Sequence, residues 1–200
     1  GFLFIDLNHS TSIAEVMGNA KYANLLRDCF KMLSDLAKAY QFEIYQFIGD
    51  EAVITWNAKR KHADREALKL FSDFKAYLVE MEEMFLSKYD VLPRFKAAIH
   101  SGIVVQSEIG IEKKHFVYHG DVLNTTSRML SECHKQNTDL LISSEAINSP
   151  SLLEEWIETV PVRLSTLKGK QKSVSAYRCI QSKTSMLSFS KSSNTFFKTT

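Results

Sequence analysis

A chain of 200 residues with 44% hydrophobic and 11% aromatic content has enough apolar material for one domain with a sizeable core. Its 25 basic and 23 acidic residues leave a net charge of +2, which gives no electrostatic reason to expect nucleic acid or an anionic membrane as partner. Three scattered cysteines, Cys29, Cys133 and Cys179, form no CxxC pair and read as buried thiols of a reducing, cytoplasmic compartment.

The chain opens on "FLFIDL" (2–7), a short apolar run of β formers read as a buried strand ending in Asp6 and Leu7. "NHSTS" follows and offers several N-caps. From Ile13 to about Ala39 apolar residues recur at helical spacing, with Gly18-Asn19 placed to divide two helices. Residues 42–56 read as a hairpin turning at Gly49-Asp50-Glu51. A charged segment then enters a helix whose Ala67, Phe71, Phe74, Leu78, Met81 and Phe85 form one core-facing stripe.

Residues 94–110 read as two strands around Ser101-Gly102, and 114–118 as another short strand. "GDVLNTTSRMLSECHK" (120–135) reads as a loop entering a helix. "DLLISSEAI" gives a strand and a helix start at Ser143 or Ser144. Residues 162–180 read as two strands around a Lys- and Gly-rich turn, and 181–200 as a Ser-, Thr- and Lys-rich mobile tail. The order describes an α+β domain over 1–180, with helices on one face of a mainly antiparallel, ferredoxin-like sheet. No apolar run reaches transmembrane length and no signal peptide is visible. The start in mid-strand, without Met, reads as that of a domain from a longer protein, in which a sensor or a membrane anchor would be expected upstream.

Asp6 and Asp50 lie at the ends of elements that a helical pair can return to one sheet edge. Two carboxylates meeting there repel unless a cation stands between them, and Mg²⁺ takes oxygen ligands and shares its shell with phosphates. Taken alone, the same residues equally fit a helix cap and a solvated turn.

The surrounding motifs decide between these. "FIDLNHSTSIAE", "FIGDEAV", "AAIHSGIVV", "HGDVLNTTSRM" and "LKGKQKSVSAY" occur in order over residues 1 to about 180. Together they resemble the catalytic domain of bacterial-type class III nucleotidyl (adenylyl and guanylyl) cyclases. The resemblance implies two Mg²⁺ or Mn²⁺ ions on Asp6, Asp50 and the Leu7 carbonyl. It implies that Asn124 and Arg128, four apart on one helix face, orient ribose and stabilise charge on the α-phosphate. Phosphate contacts would come from Ser10, Thr11, Lys96 and Lys168, with Lys170 an alternative to Lys168. Because the family's site forms between two such domains, a homodimer acting on a nucleoside triphosphate follows.

Base-reading positions fall on Gln46 and Val117. Adenine-specific relatives commonly carry Lys with Asp or Thr there, guanine-specific ones Glu with Cys. The expected nucleotide is ATP, with broad tolerance, a guanine base or a pyrimidine base as alternatives. Glu51 is expected to point away from Asp50, since strands alternate faces, and His100 and His119 to be structural. Two rivals remain: a diguanylate cyclase, suggested by "GDE", and a degenerate nucleotide-sensing or dimerisation module.

Overall fold

The computed structural model describes residues 1–112, 114–147, 158–163 and 174–180, with backbone alone for 158–163 and Ile180. In chain order the elements are β1 (Phe2–Leu7), α1 (Ser10–Met17), α2 (Asn19–Ala39), β2 (Glu43–Ile48) and β3 (Glu51–Thr55). Next come α3 (Ala63–Glu80), α4 (Glu82–Tyr89), β4 (Phe95–His100), β5 (Val105–Ile109), β6 (His115–His119) and α5 (Asp121–Lys135). A strand β7 (Leu140–Ser143), a single 3-10 turn (Ser144–Ala146), β8 (Glu158–Arg163) and β9 (Ser175–Ile180) complete the described chain.

Seven strands form one sheet in the order β2-β3-β1-β4-β7-β9-β8, while β5 and β6 form a separate two-stranded ribbon. In the large sheet only β4 and β7 run parallel. β1 lies between β3 and β4, and its alternation divides the core in two. Leu3, Ile5 and Leu7 join Leu25, Cys29 and Leu33 of α2 and Leu70, Phe71 and Phe74 of α3 on one face. Phe2 and Phe4 join Val53, Ala98 and Leu141 with Val122, Met129, Leu130 and Cys133 of α5 on the other. The α+β reading holds, with one correction: helices cover both faces, because α5 packs opposite α2 and α3. Its buried residues recur at helical spacing and match a second apolar stripe on the sheet that the sequence reading did not separate from the first.

Most elements lie where the periodicity places them. The helical run after β1 divides at Gly18, whose φ of 78° ends α1 and starts α2. The α3 stripe continues through a break at Met81 into α4, where Phe85 is fully buried. Ser143 is the cap of the 3-10 turn, its hydroxyl accepting from Ala146 N–H at 3.2 Å. Ser101-Gly102 does separate two strands, but β5 leaves the main sheet to pair with β6. The Lys-Gly turn at 164–173, with Lys168 and Lys170, and the segment 181–200 lie outside the described residues.

Candidate active site

β1 carries Asp6 to the sheet edge, and the β2–β3 turn carries Asp50 beside it. Gly49, at φ 60°, supplies the left-handed conformation that the tight turn needs. The two carboxylates come within hydrogen-bonding reach of each other. Burial, and then the Asp50 charge, push Asp6 up to about 7 from a usual value of 3.8. The Leu7 peptide lies at the same edge, and Asn8 N–H continues the β1–β4 ladder by donating to the Arg94 carbonyl at 2.8 Å.

Glu51 differs from expectation. It pairs directly with Asp6 in the β1–β3 ladder, so both side chains project from the same face. Burial and the Asp50 charge raise its pKa as well, and its own charge adds to the load on Asp6. Alternation separates Glu51 from Ala52 correctly; the turn residue Asp50 lies outside that alternation, which is why the inference from adjacency failed.

Lys96 also differs. It faces Asp6 across the β1–β4 ladder but is only 3% exposed. Its ammonium donates to the carbonyls of Cys133 (3.3 Å) and Thr138 (3.2 Å) and to Asn137 Oδ1 (3.3 Å). It thus closes the C-terminal end of α5, where orphan carbonyls favour a cation. Those three acceptors and its burial replace the expected phosphate contact.

The end of α5 brings a residue that sequence reasoning passed over. His134 Nε2 lies 3.1 Å from Asp6 Oδ2, across 128 positions of sequence. Burial and the charges of Lys96 and His9 lower its pKa, against a raising influence from Asp50. Tyr22 is a second such neighbour: its hydroxyl meets Ser10 and lies in the field of Asp50 and Asp6. No spacing signal marks either residue, since both meet the acids only through tertiary packing.

α1 starts at Ser10, half-buried, and Thr11, exposed, three residues beyond Leu7. The His9 side chain does not cap this helix, so its first-turn N–H groups are available to an anion. Asn124 and Arg128 stand exposed on α5, on the side away from its buried stripe. Arg128 precedes His134 by six residues and Asn124 by ten, about 9 Å and about 15 Å along the axis. A single chain therefore gathers the acids and the α1 start, and leaves Asn124 and Arg128 apart from them.

Gln46 and Val117 are both half-buried. A bulge between Ile44 and Gln46 sets Gln46 opposite Val53, on the α5 side of the sheet. β6 is held against β2 by the Tyr45–Tyr118 edge contact, with centroids 5.0 Å apart. The Tyr118 N–H donates to Tyr45 Oη at 3.4 Å. Gln46 and Val117 thus neighbour a contact that joins ribbon and sheet, which the Phe2–Tyr118 edge contact at 5.5 Å extends to β1. His100 is buried, with Nδ1 2.7 Å from Ser143 Oγ, and His119 Nε2 lies 2.7 Å from Ser107 Oγ.

Among the described residues no three His, Cys, Asp or Glu side chains are disposed to enclose a metal ion. A two-carboxylate edge with an adjacent backbone carbonyl fits a hard cation that draws its remaining ligands from water and phosphate. The raised Asp6 reflects its burial first and the neighbouring Asp50 charge second.

A family model described as the adenylate and guanylate cyclase catalytic domain matches residues 1–181. The chain belongs to that family, the class III nucleotide cyclases, which are phosphorus–oxygen lyases. "Adenylate cyclase 2" of Rhizobium meliloti (strain 1021) is 36% identical over 146 residues, 73% of this chain and 40% of that protein. The Speract receptor of Strongylocentrotus purpuratus is 26% identical over 130 residues, 64% of this chain and 12% of the receptor. The chain thus spans less than half the length of these relatives. Among solved structures, the adenylyl cyclase CyaB from P. aeruginosa shares the fold at a TM-score of 0.74 and 19% identity, over 91% of this chain and 93% of that one. The guanylyl cyclase Cya2 does so at 0.73 and 20%, over 89% of each. No described helix is long and apolar enough to cross a membrane.

Proposed function

We propose that this domain converts a nucleoside triphosphate, ATP first among them, to its 3′,5′-cyclic monophosphate and pyrophosphate at the interface of a homodimer. The observation that carries the reading is the Asp6–Asp50 pair, two carboxylates in contact with no Lys or Arg side chain between them among the described residues. Asp6, Asp50 and the Leu7 carbonyl would hold two Mg²⁺ or Mn²⁺ ions. When bound, such ions supply charge neutralisation and acidify the ribose 3′-hydroxyl.

The chain's own residues perform the rest. The start of α1, with Ser10 and Thr11, offers N–H and hydroxyl donors to the terminal phosphates, and Lys168 adds a cation. Asn124 orients the ribose, and Arg128 meets the charge that builds on the α-phosphate. Gln46 and Val117 border the base.

Separation of Asn124 and Arg128 from the acids within one chain supports a site shared between two copies. The β5–β6 ribbon and its flanks leave Ile103 92%, Val105 65%, Ile109 50%, Ile111 96% and Phe116 61% exposed. An apolar surface of that kind suits burial against a second copy. The named relatives include adenylate and guanylate cyclases, so the family alone does not choose the base. Gln46 can donate and accept, so it can face either purine; ATP is placed first because the relative at 36% identity is named an adenylate cyclase.

The direct test incubates purified dimer with each of the four triphosphates and Mg²⁺ or Mn²⁺, with products identified by mass. A cyclic mononucleotide and pyrophosphate in equal amounts are expected, fastest from ATP. No cyclic product from any triphosphate would overturn the reading in favour of a nucleotide sensor. A cyclic dinucleotide alone would replace it with diguanylate chemistry.

A further inference from the structure

We propose that His134 is a positioning residue for the acid pair. Its Nε2–H, delivered by the last turn of α5, holds Asp6 so that the second carboxylate oxygen faces a divalent cation alongside Asp50. The inference rests on the metal reading of Asp6 and Asp50 given above.

Asp6 sits beside a like charge at Asp50 and opposite another at Glu51. Repulsion favours rotamers that swing the carboxylate out of the edge, and a metal site needs it turned in. His134 Nε2, 3.1 Å from Asp6 Oδ2, is the described side chain that anchors one Asp6 oxygen. With the carboxylate ionised, as a metal ligand must be, it only accepts, so the imidazole nitrogen donates.

The donor is fixed by what surrounds its backbone. Lys96 ties the carbonyls of Cys133 and Thr138 and the Asn137 side chain together. The Cys133 thiol donates to the Ala97 carbonyl of β4 at 3.1 Å. Thr138 N–H returns to the Cys133 carbonyl at 3.0 Å, and Asn137, at φ 48°, donates its N–H to the His134 carbonyl at 3.3 Å. Buried groups on β4 thus lock the helix end, and a short side chain with two torsions transmits that rigidity to Asp6. Lys135 next door turns away to Glu132.

His134 acts on the carboxylate and not on the ion, since its Nε2 is engaged with Asp6 Oδ2. Partners of this kind, donating to a ligand instead of ligating, commonly govern metal affinity.

The test measures Mn²⁺ binding to nucleotide-free protein by electron paramagnetic resonance of the free ion. Wild type is compared with D50N, H134A, H134F and H134Q. Loss of the donor in H134A and H134F should weaken Mn²⁺ binding by about tenfold or more. Gln carries an amide N–H at similar reach, so H134Q should recover most of it. Cyclase activity of H134A should return toward wild type as Mn²⁺ is raised. If H134A does not fold, the comparison of H134F with H134Q carries the test. Wild-type affinity in H134A or H134F, with binding lost in D50N, would overturn the role of His134 and leave the metal reading standing. H134Q no better than H134F would overturn the donor account. Equal Mn²⁺ binding by wild type and D50N would overturn the metal reading and this inference together.

Discussion

Lys96 stands directly opposite Asp6 in the β1–β4 ladder, yet its ammonium turns away from the acids to close the end of α5. A cation beside two carboxylates looks like their natural partner. The three oxygen acceptors at the helix end compete for it and win.

Lys96→Ala should therefore act on stability before catalysis. It strips a buried cation from two carbonyls and an amide oxygen, a loss of roughly 2–4 kcal/mol. Denaturant unfolding of the metal-free protein measures it. A raised KM for the triphosphate with unchanged stability would instead return Lys96 to a phosphate role.

The Asp6 carboxyl gives the metal-free protein a particular pH dependence. It titrates at about 7 when folded and at 3.8 in its ordinary state. Between those values the folded chain holds a proton that the unfolded chain has released. Stability should fall as pH rises from about 4 to about 7, then level off. Thermal unfolding in EDTA should show this decline, and excess Mg²⁺ should reverse it at pH 8. Asp50→Asn should flatten it only in part, because burial contributes more than Asp50. An identical slope in Asp50→Asn would mean that the two acids do not interact.

Asp50→Asn and Arg128→Ala should each reduce kcat at least about a hundredfold as homodimers. Mixed in equal amounts and allowed to exchange, they should recover roughly a quarter of the wild-type rate, since half the dimers are mixed and each holds one intact site. No recovery, with subunit exchange verified by mass, would place both residues in one chain's site.

Gln46→Glu with Val117→Cys should shift the ratio of kcat/KM for GTP over ATP upward by about tenfold or more. A carboxylate at position 46 accepts from guanine N–H groups, and a polar partner replaces Val117. Competition assays with both triphosphates read this ratio. An unchanged ratio would remove Gln46 and Val117 from base recognition.

Local chemistry made much of this architecture legible. Strand β1, the break at Gly18, the hairpin at Gly49 and the helix over Asp121–Lys135 all follow from period, turn residues and caps. Asp6 and Asp50 fit a helix cap and a solvated turn equally well on local grounds, and only the ordered motifs around them singled them out. Glu51, Lys96 and His134 were not readable in the same way. Their roles depend on register across β1 and on where the last turn of α5 lands. Those are long-range facts: Asp6 and His134 are 128 positions apart. A Lys in an apolar strand reads as a ligand until the helix end that consumes it is in place.

The placement of α5 has a final consequence. Its last turn is tied to Asp6 of its own chain, and its outward face carries Asn124 and Arg128. In the twofold dimer proposed above those two would serve the opposite site, so one stiff rod about 20 Å long would join both reaction centres. Occupancy at either acid edge would then bias the ribose and phosphate grip at the other, and linkage would make the influence mutual for binding. Half-occupied dimers would differ from empty and full ones, and substrate saturation curves would depart from a simple hyperbola.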